Sequence, residues 1–365
     1  MQQHGERDDN VPAYHSRLLN LLLRQSGVYS QFVELSGSGH WFDGVMTTDP
    51  LSSFYKSQLE SNKSTATHEF SVVVANPADT GPKQDFHILS LLIPGRLGRV
   101  DVHYDEESGD CNIRTSNVFV FRIAQQPADC VRLLVDDQVI KISDLELPTA
   151  MILAQDLHWG VLPTTDGDEL QEPKLYNYST IRTRRQSGAM DSILDTSGAL
   201  TIIAASPESQ HTALQVSRNL CQYYAADTEI FDYSIPGGYA AGNIIILLTG
   251  DGTGGRIPSD YPISFGKDGV SIRDDKGRIR HYKSDDSIGA IFLVPLGDTA
   301  LGLVVWGLDQ TGLDIAARLV PMLTGVGQPD FVIIDKNILQ NGASGVLAIG
   351  FFDAHWNVSK NSYFT

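Results

Sequence analysis

The spacing of hydrophobic residues predicts a helix, a strand and a second helix near the start of the chain. Leucines recur at helical spacing between residues 12 and 25, and the pattern stops at Gly27, which is typical of a helix end. Apolar and aromatic residues over 28–35 predict a strand, and the glycine-rich residues 36–39 predict a turn. Asp49-Pro50 pairs an acidic residue with a proline, which favours the start of a second helix that runs to about Glu60.

The hydrophobic period changes to two between Phe70 and Ile142. Short runs of Val, Ile, Leu and Phe are separated there by turn-forming residues such as Asn76-Pro77 and Ser108-Gly109-Asp110. Several short strands at this spacing predict a small β-sandwich over residues 65–145. The predicted strands are 70–75, 86–93, 99–104, 113–123 and 131–142.

The rest of the chain predicts an irregular connection followed by an α/β layer. Residues 146–184 contain acidic and proline-containing segments, which favour a long surface connection. From 185 to 365, continuous apolar strands alternate with amphipathic helices, a pattern that predicts a doubly wound α/β domain buried on both faces. Strands are predicted at 200–205, 229–235, 243–249, 290–296, 301–306, 331–334 and 346–352, and helices at 187–196, from 206 and over 313–323.

Asp8 and His40 are the candidate catalytic residues. Asp8 lies in a loop before the first predicted helix, and His40 lies in the glycine-rich turn after the predicted strand. A Ser-Asp-His triad in an α/β-hydrolase has its acid and its base in this chain order, and the acid holds the imidazole in one tautomer. The alternatives are structural: a histidine bonded to loop backbone, and an Asp-Asp-Asn cluster that caps a helix.

The motif His4-Gly5-x-x-Asp8-Asp9-Asn10-Val11-Pro12, followed by Gly39-His40-Trp41, resembles the end of the catalytic domain of prolyl-oligopeptidase-type serine peptidases. The resemblance covers roughly residues 3–60. It implies that residues 1–62 are the C-terminal part of an α/β-hydrolase domain, with the triad acid at Asp8 and the triad base at His40. It also implies a peptide or a small-molecule ester as the substrate of the full-length enzyme. The expected fold class is α/β plus β.

The triad nucleophile has no counterpart in this chain. The family places its serine on a Gly-x-Ser-x-Gly elbow upstream of the acid, and no such motif occurs here. Ser38 and Ser344 have glycine neighbours but lack the strand-elbow-helix context. We therefore expect a truncated C-terminal part of a hydrolase that is inactive by itself. The alternative is a catalytically inactive binding or accessory module, which residues 65–365 would form.

The loop from Gly250 to Gly255 matches G-x-G-x-x-G directly after a predicted strand, and Asp274-Asp275 lies where a ribose-binding acid would be expected. Dinucleotide binding also requires the last glycine to open a helix, whose amides hold the pyrophosphate. The residues that follow include Pro258 and Pro262 and cannot begin an amphipathic helix, so no cofactor is expected. No C-x-x-C pair occurs, so no metal is expected either. Asp136-Asp137 and Asp285-Asp286 are interpreted as turn formers, and Asp353-x-His355 as structural.

The net charge argues against some classes of partner, and the cysteines and glycosylation sequons bear on whether the protein is secreted. A formal net charge of -17 argues against nucleic acid and anionic membranes as partners, and no apolar run is long enough to span a membrane. Cys111 and Cys130 could pair if the chain is secreted, and two buried free thiols are the alternative. Sequons at Asn62, Asn177 and Asn357 are compatible with secretion. The oligomeric state is not indicated.

Overall fold

The computed structural model describes residues 1–60, 68–126, 130–142, 145, 147–153, 157–163, 182–183, 186–196, 198–232, 242–251, 257, 260–283, 287–297, 300–320 and 328–365. These residues form a mixed α/β structure in which strands, arranged in several sheets, outnumber helices. The chain divides into two compact units, Met1–Ala66 and Thr67–Thr365. Within the described ranges, no helix has both the length and the apolarity needed to cross a membrane.

The first unit follows the predicted order of helix, strand and helix. β1 (Gln2–Gly5), which was not predicted, pairs in parallel with β2 (Phe32–Leu35), and α1 (Tyr14–Gln25) connects the two strands. α1 is followed by Gly27 at φ +76°, where Val28 N–H donates to Leu23 O at 2.9 Å and so satisfies a terminal carbonyl. α2 (Asp49–Glu60) begins at the predicted Asp-Pro pair. Both helices and the strand are confirmed.

The first unit buries very little of its apolar surface. Gly5 and Ala13 are the only buried residues within 1–60. The leucines that predicted α1 do not bury one face, since Leu19 is 50% exposed and Leu22 is 49% exposed. β1 and β2 therefore form a two-stranded parallel sheet with little cover, whereas parallel sheets are normally covered on both faces.

The second unit begins with two sheets that share a core. In chain order the strands are β3 (Glu69–Val74), β4 (Phe86–Leu91), β5 (Gly98–Asp105), β6 (Asp110–Ser116), β7 (Val118–Ile123), β8 (Arg132–Val135), β9 (Gln138–Lys141), β10 (Thr149–Leu153) and β11 (Trp159–Pro163). One sheet has the order β3-β5-β6-β8-β9 and the other the order β11-β10-β7-β4. Val100, Ile113 and Leu133 of the first sheet pack with Ile88, Phe121 and Met151 of the second in one apolar cluster. The alternating pattern that predicted a sandwich produces this shared core.

The prediction of an irregular connection over 146–184 is wrong for its first part. Residues 149–153 and 159–163 form β10 and β11, and β10 extends the second sheet by pairing with β7. Ala150 and Met151 are fully buried there, because β10 is covered on both of its faces. The acidic and proline-rich residues 164–181, on which the prediction mainly depended, lie outside the described residues.

The remainder of the second unit is built on an eight-stranded sheet. Its elements are β12 (Leu200–Ala204), β13 (Thr228–Asp232), β14 (Ile244–Thr249), β15 (Ile263–Gly266), β16 (Gly269–Arg273), β17 (Ile279–Tyr282), β18 (Ile288–Leu296), β19 (Ala300–Gly307), β20 (Phe331–Asp335), β21 (Val346–Gly350) and β22 (Tyr363–Phe364), with α3 (Ser209–Tyr224), α4 (Gln310–Ala317) and α5 (Ile338–Asn341). The sheet order is β13-β12-β14-β19-β18-β20-β21-β22, and β15, β16 and β17 form a separate antiparallel sheet.

This arrangement differs from the predicted doubly wound layer. Across the sheet, the four strands β13, β12, β14 and β19 are parallel to one another. The remaining strands β18, β20, β21 and β22 are added by antiparallel pairing. α3 and α4 cover one face. The other face is covered by aromatic residues at and near the three-stranded sheet: the Phe265 ring lies 5.4 Å from Trp306, and the Tyr261 ring lies 6.2 Å from Phe292. Continuous apolar strands indicate burial on both faces but not strand direction, so the pattern did not distinguish the two arrangements.

Helix α4 lies unusually close to the sheet because glycines meet at the contact. A Cβ atom on Gly289 would lie 2.5 Å from Gly312 O, and one on Gly307 would lie 2.5 Å from Asp309 O. Asp309 caps this helix by accepting a hydrogen bond from Gly312 N–H at 2.7 Å. A side chain at either sheet glycine would force α4 away from β18 and β19.

Candidate functional site

Asp8 lies in a tight turn that its own carboxylate closes. Asp8 Oδ1 accepts hydrogen bonds from Asn10 N–H at 3.0 Å and from Val11 N–H at 2.7 Å, just before α1. The helix itself has Ala13 at its N-cap with no side-chain hydrogen bond, so Asp8 orders the preceding turn and does not cap α1. Only 7% of the Asp8 side chain is exposed.

The structure brings His40 onto this carboxylate, as the sequence order predicted. His40 Nδ1 lies 2.9 Å from Asp8 Oδ2 and 3.1 Å from Asp8 Oδ1, although 32 residues separate the two in the chain. A carboxylate can only accept from Nδ1, so Nδ1 carries the hydrogen and Nε2 has a free lone pair in the neutral ring. No hydrogen bond at Nε2 occurs among the described residues, and 26% of the side chain is exposed. This arrangement provides an oriented base on a partly exposed side chain.

The loop that carries His40 is fixed against β1. Arg7 N–H donates to Ser38 O at 2.9 Å, and Glu6 Oε2 accepts from Gly37 N–H at 2.9 Å and from Ser36 Oγ–H at 2.8 Å. These hydrogen bonds, first that of Gly37 and then that of Ser36, lower the pKa of Glu6 below its usual value. The hydrogen bonds therefore hold the loop that carries His40 in a fixed position relative to Glu6 and Arg7.

Gly5 allows this close approach. A Cβ atom there would meet Gly39 O and would lie 2.6 Å from Ser38 O, so any side chain would push the His40 loop away from β1. A Cβ atom on Gly39 would find Arg7 O at 3.9 Å and nothing closer. The glycine requirement therefore lies at Gly5, which belongs to the motif that carries the resemblance.

A second histidine contacts the same carboxylate, and the sequence analysis did not assign it a role. His4 Nε2 lies 3.2 Å from Asp8 Oδ2 and 2.8 Å from Val11 O, while His4 Nδ1 lies 2.8 Å from Ser16 Oγ. Since Val11 O only accepts, Nε2 carries the hydrogen and Ser16 Oγ–H donates to Nδ1. The i, i+4 spacing of His4 and Asp8 was the available signal, but it does not imply contact outside a helix.

The electrostatics of the site favour an ionised acid. Burial acts to raise the pKa of Asp8, but the hydrogen bonds from Val11 N–H, His40 and Asn10 N–H outweigh it, and the pKa of Asp8 is lowered from the usual 3.8. The carboxylate is therefore charged at neutral pH. A charged carboxylate at Nδ1 stabilises the imidazolium that forms when Nε2 takes a proton.

Other motifs from the sequence have structural roles where they are described. Asp274 accepts from Lys276 N–H and Arg278 N–H and pairs with the Arg278 and Arg280 guanidinium groups in the β16–β17 turn, so it is not a free ribose ligand. Asp136 and Asp137 form the β8–β9 turn with positive φ, as predicted. Residues 252–256 and 284–286 lie outside the described residues. Asp353 Oδ1 accepts from His355 N–H and Asn357 N–H in a turn.

A cleft of about 510 Å³ lies within the second unit, where the sandwich meets the segment around residue 189. Its lining includes six charged residues: Asp79, Arg96, Arg182, Asp191, Asp330 and Asp353. Burial and then the nearby Asp79 carboxylate raise the pKa of Asp191. Ala189 lines the cleft with φ +63°, a left-handed conformation that non-glycine residues rarely adopt. In the part of the chain that the structure describes, no group of three or more His, Cys, Asp or Glu could hold a metal ion.

Fold and site together define a mixed α/β protein with an Asp–His pair in its first unit. No family model matches the chain. The chain is similar to an uncharacterized secreted protein of Arthroderma benhamiae, with 34% identity over 378 residues that cover 99% of this chain and 39% of the relative. The chain thus spans about two fifths of the length of the relative that it matches.

Proposed function

We propose that the first unit supplies the acid and the base of a serine-type hydrolase of the prolyl-oligopeptidase kind, which cleaves peptide or ester bonds. The observation that carries the proposal is the contact of 2.9 Å between His40 Nδ1 and Asp8 Oδ2, with His40 Nε2 left without a partner among the described residues. In this mechanism Nε2 removes the proton of a serine hydroxyl, the serine oxygen attacks the acyl carbon, and the imidazolium then protonates the leaving group. Asp8 stabilises the imidazolium throughout.

The attacking serine is proposed to come from hydrolase polypeptide outside these 365 residues. The relative is much longer than the segment that matches this chain. The first unit also leaves apolar residues on its surface, including Leu21 (52% exposed) and Val28 (50% exposed). Among the described residues, no further strand pairs with either edge of its two-stranded parallel sheet. Further strands of a hydrolase sheet, which would carry the serine elbow, fit this surface by hydrogen bonding to an edge and covering the leucines.

The test is active-site labelling of the longest natural polypeptide that contains these residues. A fluorophosphonate probe should label one serine outside residues 1–365. His40→Ala should reduce the labelling rate by roughly 10³-fold or more, because loss of a triad member removes several orders of magnitude of rate. His15→Ala is the matched control: His15 is an exposed histidine on α1 and should leave labelling unchanged. Equal labelling of the His40 variant and the wild type would refute the proposal.

The 365-residue chain alone is expected to be inactive toward an activated ester or a peptide amide. Ser16 is the serine to monitor, because its hydroxyl donates to His4 Nδ1 and His4 contacts Asp8. Turnover by the isolated chain, with probe attached to Ser16, would replace the proposal with a site built around His4.

The second candidate function is a binding or accessory module formed by the second unit. The cleft of about 510 Å³ favours it, since ligand sites are usually concave and a strained residue at Ala189 is typical of a functional position. Expression of residues 67–365 alone distinguishes the two ideas. A soluble product that unfolds cooperatively would support an independent module, whereas aggregation would favour dependence on a hydrolase.

We further propose that the protein is exported, as the name of its Arthroderma benhamiae relative states for that protein. The sequon at Asn357 supports this, because Asn357 is exposed in a turn. Secreted protein should lose mass on enzymatic removal of N-glycans, and Asn357→Gln should reduce that loss. Retention of all the protein inside the producing cell, without glycan, would contradict export.

A further inference from the structure

Two of the three cysteines lie together in the sandwich core. Cys111 is 0% exposed on β6, and Cys130 is 1% exposed just before β8. β6 and β8 are parallel neighbours, with Asp110 opposite Arg132, so the sheet itself brings the two cysteine segments side by side. Cys221 lies apart from them, exposed on α3.

The two thiols are in direct contact. The Cys111 thiol and the Cys111 backbone N–H both hydrogen-bond to the Cys130 sulfur. The Cys130 thiol lies 3.2 Å from Arg132 O. The Cys130 sulfur and then burial raise the pKa of Cys111, whereas the Cys111 thiol lowers the pKa of Cys130.

We propose that Cys111 and Cys130 form a disulfide in the mature protein, a proposal that rests on the proposed export. The oxidant is a low-molecular-weight or protein disulfide of the secretory pathway. The thiolate of one cysteine attacks one sulfur of that disulfide and releases one thiol. The thiolate of the other cysteine then attacks the sulfur of the first in the mixed disulfide and releases the second thiol. The protein loses two electrons and two protons, which reduce the carrier disulfide to two thiols.

Burial of the two sulfurs determines the stage of folding at which the disulfide forms and protects the finished disulfide from reduction. Neither sulfur is accessible once the sandwich core has closed, so exchange takes place while β6 and β8 are pairing. The finished bond lies among apolar residues such as Ile113 and Leu133, where a thiolate cannot reach it. Such a bond has the properties of a structural disulfide and not of a redox switch.

The full chain is tested after complete reduction in denaturant and refolding in glutathione buffers of graded redox potential. Each sample is then denatured and alkylated. In oxidising buffer, only Cys221 should react, and trypsin should release residues 100–114 joined to 123–132. In reducing buffer, all three thiols should react. Three reactive thiols at every potential, or a linkage that involves Cys221, would overturn the proposal.

Cys221→Ser and Cys111→Ala are the paired variants. Cys221→Ser should keep both the linked peptides and a fall in melting temperature when reductant is added. Cys111→Ala should lose both responses. Because the oxidation is measured in a defined buffer, its failure is separate from a failure of export, which the N-glycan measurement reports.

Discussion

The Arg182 guanidinium binds the Asp330 carboxylate at two points. Arg182 Nη1 and Nη2 each lie 2.7 Å from a different Asp330 oxygen, with 6% and 1% of the two side chains exposed. Arg182 also lies over the Trp356 ring, 4.8 Å from its centroid. Arg182, which begins a short basic run over 182–185 in the sequence, is thus held in a buried ion pair, while 184 and 185 lie outside the described residues.

Arg182→Ala should destabilise the second unit by about 3–5 kcal/mol, because it leaves the Asp330 charge buried without a partner. The free energy of unfolding in urea measures this. Arg218→Ala, at an exposed arginine on α3, should change the same quantity by less than about 0.5 kcal/mol. Equal effects of the two variants would show that the buried pair contributes nothing specific.

Gly5→Ala should displace the His40 loop, since the added methyl group meets Gly39 O and Ser38 O. We expect a cost of about 1–3 kcal/mol, as for other overpacked contacts. Hydrogen exchange at Arg7 N–H, which donates to Ser38 O, should become faster. Gly39→Ala adds the same methyl group to the facing loop without such a contact and is the control. Unchanged exchange in the Gly5 variant would argue against the clamped loop.

Asp8 should titrate below 3.8, because Val11 N–H, His40 and Asn10 N–H hydrogen-bond to its ionised form more strongly than burial opposes it. The ¹³C shift of its carboxyl carbon as a function of pH measures the pKa directly. His40→Ala removes one of these donors, so the pKa of Asp8 should rise in that variant. A midpoint at or above 3.8 in the wild type would contradict the contact with His40.

Asp274 should stabilise the second unit over most of the acid range. Burial opposes its ionisation, but Arg278, the backbone of Arg278 and Lys276, and Arg280 lower its pKa far below 3.8. A carboxyl group whose folded-state pKa is depressed stabilises above its unfolded pKa, and this stabilisation is lost as pH falls through the folded value. The melting temperature of Asp274→Asn should therefore lie below that of the wild type at pH 7. The gap should narrow only below about pH 3.9, the usual aspartate pKa.

Asp275→Asn is the matched control for Asp274→Asn. Asp275 is the exposed neighbour in the same turn, and its amide variant should match the wild type across the pH range. If the gap between the wild type and Asp274→Asn were constant down to pH 2, another interaction would account for it.

The sequence predicted those helices and strands whose hydrophobic pattern is strongly periodic. It also predicted that Asp8 and His40 act together, because both lie in a long motif. α1, α2, α3 and most strands of the large sheet lie where the pattern indicated. Asp8 and His40 meet because chain order and spacing constrain a loop–helix–strand–loop path. His4 was missed because a lone histidine beside a glycine has no periodic signature, and its partners, Val11 O and Ser16, depend on how the turn closes.

Other features depend on tertiary contacts that local pattern does not encode. β15, β16 and β17 are short, and their residues include charged and glycine positions whose alternation is weak. Their role is to cover one face of the large sheet with Phe265 against Trp306, which only the folded sheet defines. The same holds for β10, whose burial depends on β7 beside it.

The position of the three-stranded sheet also constrains the order in which the protein folds. β14 and β19 are neighbours in the large sheet, and the chain between them contains all of β15 to β18. The hairpin β18–β19 closes a short loop and forms quickly. The parallel pair β14–β19 must close a much longer loop and therefore forms more slowly. Five of the six residues of β14 are buried in the final sheet, and the edge of β14 that pairs with β19 stays unpaired until β19 is available. Folding yield should therefore depend on how long this segment stays exposed to other unfolded chains.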